Sequence, residues 1–306
     1  MSYLFGRQAQ ILVGVPGQTG LSIDKLRVKF HVEKTSESSA NKATISIYNL
    51  SDSHRSIVEG QGAYDDGIWT PGASTITLQV GYLGIGNKDS TLGVLCTGSI
   101  NKVSSERQEN DIVTIIECLD GGMALREAVC NTSFGAGKQV SAVVDYLAKL
   151  MAAKYGLTYN KPTFLFDDQY VSGIVLSGSI KDHLDKILPK INMVWSIQNN
   201  SIMISPPKNI NSSKAVEISA ETGMIGIPIK RELSMTETEP SAGQPTKLIT
   251  GIEVISLINP LIMPGATIRV ISKKANYLNG EYQVKRAEYD GDTLEGQWQV
   301  KVETMQ

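Results

Sequence analysis

Two stretches of the chain, 72–119 and 265–302, spell the same small β-unit. The first runs from Gly72-Ala73 through Thr75-Ile76-Thr77-Leu78-Gln79-Val80 and Gly98-Ser99-Ile100-Asn101-Lys102-Val103 to Asp111-Ile112-Val113-Thr114-Ile115. The second runs from Gly265-Ala266 through Thr267-Ile268-Arg269-Val270 and Gly280-Glu281-Tyr282-Gln283-Val284-Lys285 to Trp298-Gln299-Val300-Lys301-Val302. Each is a strand, a glycine-led strand and a closing strand, polar at every other place as in a half-buried sheet. The leading glycines lie 26 residues apart in one copy and 15 in the other. This is a diverged duplication, not a short-period array. Two similar barrels in one chain point to ring-building rather than to chemistry.

At 306 residues the chain has room for two domains, or three small ones, each with a core. A net charge of −2 and a pI of about 6.0 exclude a strong field drawing the whole protein to nucleic acid or an anionic membrane. Charged residues make up 20%, below the roughly 25% usual for globular chains. That fits a β-rich protein that covers surface against partners, and equally an ordinary β protein with a polar, uncharged surface. Met1 to Gln8 carry no basic region leading into a long apolar stretch, so neither a secretory signal nor a membrane span is expected. Cys96, Cys118 and Cys130 match neither a disulfide framework nor a zinc cluster and are expected as buried free thiols in a reducing compartment.

Alternation in Leu26-Arg27-Val28-Lys29-Phe30-His31-Val32 and in Ala43-Thr44-Ile45-Ser46-Ile47-Tyr48, around the polar turn 35–42, predicts a hairpin with one wet face. A short helix over 52–60 with Ser51 as N-cap should follow. The middle third changes period. Val140, Val143, Val144, Leu147, Leu150 and Met151 share one face of a helix over 141–155 that Gly156 ends. A second helix starts at Ser179, with Asp182 three residues on, buries Ile180, Leu184, Ile187 and Leu188, and closes at Pro189. Asn199-Asn200 between two apolar runs predicts a tight hairpin. The polar stretch 234–244 reads as a loop. The expected fold is mainly β with a smaller α+β module: a first tube-like barrel at 1–119, a helix-containing module at 120–207, and a related second barrel at 208–306.

Chemistry is hard to place. Gly135-Ala136-Gly137-Lys138 lacks the glycine at 132 and the Ser or Thr at 139 of a phosphate loop, and no strand is expected before it. Gly84-Ile85-Gly86 lacks the third glycine of a dinucleotide site. His31, His54 and His183 sit at no ligand spacing and are expected on the surface. Asp65-Asp66 and Asp167-Asp168 are turn pairs, whereas a glycosidase needs two separated carboxylates flanking a cleft. No Gly-x-Ser-x-Gly elbow occurs, and Asn131-Thr132-Ser133 is a sequon without a secretion route. No catalytic, cofactor-binding or metal residue is assigned.

Three blocks together resemble the baseplate hub proteins of contractile-tailed bacteriophages, the T4-like tail hub family. They are the hairpin ending Ile47-Tyr48-Asn49-Leu50-Ser51; Val80-Gly81-Tyr82 with Thr97-Gly98-Ser99-Ile100 and Glu117-Cys118-Leu119-Asp120-Gly121-Gly122; and Gly223-Met224-Ile225-Gly226-Ile227-Pro228 with Leu257-Ile258-Asn259-Pro260, Pro264-Gly265, Leu278-Asn279-Gly280-Glu281-Tyr282, Gly291-Asp292 and Trp298. The resemblance covers nearly the whole chain. It implies a homotrimer of two-barrel chains, a pseudo-sixfold ring that adapts a sixfold tail tube to a threefold central spike. It also implies a virion protein assembled in the host bacterial cytoplasm, with the tube protein, the spike and other baseplate proteins as partners, no membrane insertion, and DNA only as passing cargo. Trimer interfaces of such obligate kind bury roughly 2,000 Å² or more, and a DNA channel should avoid a continuous basic lining. A hub of a genome-free injector, a tail-associated peptidoglycan hydrolase and a monomeric carbohydrate- or protein-binding β-sandwich are the alternatives. The contact residues picked are Asn49, Leu50, Ser51, Asn259, Pro260 and Leu261, all in corners that turn-forming alone would explain, together with edge residues on strands 75–80 and 267–271.

Overall fold

Strict alternation sets most of the strands. In the computed structural model, residues 6–14, 20–65, 68–70, 72–83, 92–162, 168–207, 214–234 and 248–305 are described. The first third contains β1 (Arg7–Gly14), β2 (Leu21–Ile23), β3 (Val28–Thr35), β4 (Asn41–Tyr48), α1 (Asp52–Val58), β5 (Ala63–Asp65), β6 (Ile68–Thr70), β7 (Thr75–Tyr82), β8 (Gly93–Gln108) and β9 (Asp111–Asp120). Both predicted strands of the first hairpin form, and buried and exposed residues alternate along β3. Ser51 caps α1 by accepting the His54 N–H at 3.3 Å.

The middle third has α2 (Gly122–Glu127), β10 (Val129–Phe134), α3 (Val140–Tyr155), β11 (Thr158–Tyr159), β12 (Ile174–Ser179), α4 (Ile180–Ile187), β13 (Val194–Gln198) and β14 (Ser201–Ser205). Helix α3 buries Val143, Val144, Leu147 and Met151 and ends at Gly156, whose φ of 65° suits a residue without Cβ. Ser179 accepts the Asp182 N–H at 3.2 Å. Pro189 does not close α4 directly: the chain passes into a 3₁₀ turn, Leu188–Ile191, in which the missing proline N–H costs nothing at the first positions. Asn199 and Asn200 take φ of 50° and 63° at the β13–β14 hairpin. Helices and short sheets here enclose a core of their own.

The last third has β15 (Val216–Ser219), β16 (Met224–Ser234), β17 (Leu248–Leu257), β18 (Thr267–Ile271), β19 (Gly280–Asp292) and β20 (Trp298–Met305). Apart from β5 and β6, which pair with each other, the strands of the first and last thirds are continuous in one sheet of order β16-β17-β20-β19-β3-β4-β9-β8-β7-β1-β2, with β18 and β15 branching from β19. One core, from Ile11 and Phe30 to Tyr289 and Val302, lies beneath them. Except for Ser234, the polar stretch 234–244 lies outside the described residues, as do Gly84-Ile85-Gly86, Asp66 and Asp167.

Strands 75–80 and 267–271 are not edges. β7 is paired on both sides, by β1 and β8, and β18 by β15 and β19. The flanking strands β1 and β15 cover the backbone that the sequence leaves apparently bare.

Candidate assembly surface

The duplication is geometric. Thr75 faces Ser99 across β7–β8, as Thr267 faces Gln283 across β18–β19. The Ile100 N–H donates to the Ser74 carbonyl at 3.0 Å and the Val284 N–H to the Ala266 carbonyl at 2.9 Å. Each long strand then carries a bulge at the same place, Ile100/Lys102 against β9 and Val284/Arg286 against β20. Beyond it Lys102 faces Glu117, which faces Thr44, which faces His31. In the other unit Arg286 faces Glu303, Glu303 faces Glu253 and Glu253 faces Ile229. Thus β3-β4-β9-β8 and β16-β17-β20-β19 are one four-strand unit made twice. The bulges bend β8 and β19, so each serves two layers along its length.

The two units meet where β3 pairs antiparallel with β19, from Thr35 opposite Arg286 to Lys29 opposite Asp292. On the core face Phe30 covers Gly291 and stacks edge-on against Trp298 with centroids 5.5 Å apart. On the outer face His31 Nδ1 lies 2.7 Å from Asp290 and Nε2 3.2 Å from Glu33. Partial burial opposes the charged imidazole, but the hydrogen bonds and charges of Asp290 and Glu33 outweigh it and raise its pKa above 6.5. At one end of the junction Arg27 grips Asp292 with two nitrogens, at 2.7 and 3.2 Å, and lies over the Tyr48 ring. Burial works against the Asp292 charge, yet Arg27 holds its carboxyl below the usual range. A cavity of about 480 Å³ opens beside this clamp, lined by Arg27, Lys29, Asp290 and Glu295.

The picked contact residues fall into two groups at matching corners, each directly after the second strand of a unit. Asn49 has φ 58° and ties the corner to β9 through Asp111 and the Ile112 N–H. Leu50 is 5% exposed and belongs to the core, and Ser51 is the α1 cap. Asn259 accepts the Leu261 N–H in an Asx turn. Pro260 packs against Gly93 of the same chain, and Leu261 is 63% exposed. The corners bring no chemistry together.

A buried polar cluster joins the middle module to the sheet. Asp120, at the end of β9, accepts the Asn199 and Asn200 N–H groups of the β13–β14 turn, the second at 2.9 Å. Lys34 Nζ donates to Asn199 Oδ1 at 2.6 Å, and Asn41 donates to the Ile197 carbonyl at 2.8 Å. Burial lowers the Lys34 pKa and raises that of Asp120, so the pair is driven toward neutrality. The signal for Lys34 was present: it continues the buried register of Val28, Phe30 and Val32.

Cys96, Cys118 and Cys130 are all free and buried. Contrary to expectation a strand, β10, does precede Gly135–Lys138, but the Gly137 and Val140 N–H groups donate to the Tyr170 and Asp168 carbonyls and are not presented to an anion. Among the described residues no three His, Cys, Asp or Glu side chains are grouped to hold a metal, and no helix is long and apolar enough to cross a membrane.

No curated protein matches the sequence. Among solved structures the fold is similar to a tail protein from Neisseria meningitidis MC58 (TM-score 0.59, 10% identity, 99% of this chain and 97% of that one). It is similar also to the 43 kDa tail protein of prophage MuSo2 from Shewanella oneidensis (0.60, 9%, 97% and 100%). A third is an E. coli component of the type VI secretion system described as similar to the T4 tail proteins gp27 and gp5 (0.55, 9%, 95% and 76%). At such identities the likeness is one of fold. The sequence itself matches the family model described as baseplate hub gp41 over residues 10–303. The chain therefore belongs to the baseplate hub gp41 family of phage tail structural proteins.

Proposed function

We propose that the protein is the ring of a phage baseplate hub, a homotrimer that joins a sixfold tail tube to a threefold central spike. The observation that carries this is the repetition of one four-strand unit, bulge for bulge, within the chain. Three copies offer six near-equivalent units to the tube, while a spike on the other side meets three chains. Its site would be the tail baseplate, reached by assembly in the host bacterial cytoplasm. Its partners would be the tube protein, the spike and other baseplate proteins, with no catalytic role, cofactor or membrane insertion.

The face of β16-β17-β20-β19-β3-β4-β9-β8 turned away from the core would line the bore. That face carries both signs in mutual contact: Arg231–Glu253 at 2.8 Å, Lys301–Glu253 at 3.4 Å, Arg286–Glu288 at 2.8 Å and His31–Asp290 at 2.7 Å. Ion pairing of these cations breaks up any continuous basic run that DNA could exchange for its counterions, so genome passes without being held. Electron-microscopic averages of the purified protein test the ring. Six matching densities around an open centre are expected, and separate particles the size of one chain would refute it.

The type VI neighbour favours a second reading, the hub of a genome-free contractile injector. Capsid and terminase genes beside this one would decide for the phage.

A further inference from the structure

Lys34 is 2% exposed, and its Nζ donates to Asn199 Oδ1 at 2.6 Å. Lysine is almost never buried this far without a partner, and here the contact is with a side-chain amide. The amide carbon lies one C=O bond, about 1.23 Å, from that oxygen. An amine and an acyl carbon are thus held nearly in contact. The turn that presents Asn199 is fixed from several sides. Asp120 accepts the Asn199 and Asn200 N–H groups, and Asn41 donates to the Ile197 carbonyl at 2.8 Å and to Gln198 Oε1 at 3.0 Å. Gln198 Nε2 in turn donates to the carbonyl of Thr35, the neighbour of Lys34, at 2.7 Å. Two reactants held in a favourable geometry can react as if at effective molarities on the order of 10⁵–10⁸ M.

We propose that Lys34 and Asn199 join in an intramolecular isopeptide bond, which the folded protein forms on itself. The Nζ lone pair attacks Asn199 Cγ, the bond from Cγ to Nδ2 breaks, and ammonia leaves. The proton lost by the attacking nitrogen goes to the departing one, so a primary amine and a carboxamide give a secondary amide and ammonia. No oxidant or reductant is needed. Burial lowers the Lys34 pKa and so favours the neutral amine, whose lone pair is the nucleophile. Burial also raises the Asp120 pKa, and a neutral Asp120 leaves less negative charge beside the amine to hold it protonated. Asn199 is half-buried, which gives the ammonia a way out. Before the step Lys34 contributes only its hydrogen bond. Afterwards the turn of the middle module is welded to β3 across 165 positions of sequence. The step is a single self-modification with no outside substrate, and it is independent of the trimeric-ring reading.

The intact mass of the purified full chain, followed during incubation at mildly alkaline pH, reads the bond. A species lighter than the sequence mass by one ammonia is expected. Proteolysis of that species should release a branched peptide joining the segments around Lys34 and Asn199. A cyclic imide at Asn199-Asn200 would lose ammonia too, but it gives a linear peptide and survives Lys34→Met. The joined species should therefore be absent from Lys34→Met. Asn199→Asp keeps the acyl carbon and should lose water in place of ammonia, arriving at the mass of the joined wild type. Folded wild type that keeps its full sequence mass overturns the proposal. So does an ammonia loss that persists in Lys34→Met with no branched peptide in the wild type.

Discussion

The ring of Phe30 fills the space that a Cβ on Gly291, its cross-strand partner, would need. This contact sits at the only backbone junction between the repeated units, β3 against β19, among the described residues. Gly291→Val should force the ring aside and lower stability by about 1–3 kcal/mol. Phe30→Ala, which empties the site beside Trp298, should cost roughly 3–5 kcal/mol. Denaturant titration of both variants checks this, and a wild-type midpoint for Gly291→Val would show that the junction is loosely packed.

Asp120 and Lys34 should respond unequally to substitution. Asp120→Ala leaves the buried Asn199 and Asn200 N–H groups without their acceptor, at a cost on the order of 2–3 kcal/mol. Against wild type not yet joined at Asn199, Lys34→Met removes a buried cation whose charge burial already disfavours but leaves Asn199 Oδ1 without its donor, and should cost less, about 1 kcal/mol. Thermal unfolding of the two single variants and the double variant measures the difference. Equal losses would mean that Lys34 is needed as a charge.

His31 makes the junction sensitive to pH. Its folded-state pKa is raised, so the stabilisation is fully present below the unfolded value of 6.5 and disappears as pH rises through the higher folded value. The stability gap between wild type and His31→Asn should therefore be widest below pH 6.5 and close on the alkaline side. Denaturation at a series of pH values reads it, and a gap that widens with pH would reverse the assignment.

Charge balance on the proposed bore face predicts no retention of DNA by the wild-type protein at physiological salt. Reversing Glu33, Glu253 and Glu288 to lysine unpairs Arg286, Arg231 and Lys301 and should produce salt-sensitive retardation in a gel-shift assay. Retardation by the wild type would contradict a non-gripping bore.

Local signals carried much of the fold into the sequence. The β3–β4 hairpin, α3 with its Gly156 stop, the Ser179 cap and the Asn199-Asn200 turn depend on residues close in the chain. The duplication was legible because Thr75 and Thr267 open like-patterned strands. Pairings between distant strands were not: no spacing announces that His31 meets Asp290, because that register is set by packing of Phe30 on Gly291 and Trp298. Ala9, Ile11 and Val13 alternate as buried positions of β1, but nothing local ties that strand to β7 some sixty residues on, so in the sequence alone strand 75–80 reads as an edge. Of the picked corner residues, Leu50 serves the core because its turn places the side chain inward. That β16 pairs only with β17, and residues 102–108 of β8 only with β9, among the described residues, emerges only once the junction of the two units is known.

Native mass spectrometry of the purified chain, alone and mixed with the spike protein from a neighbouring gene, tests the ring most directly. The account predicts a species at three times 33.2 kDa in at least one condition. A 33.2 kDa monomer in both would contradict it.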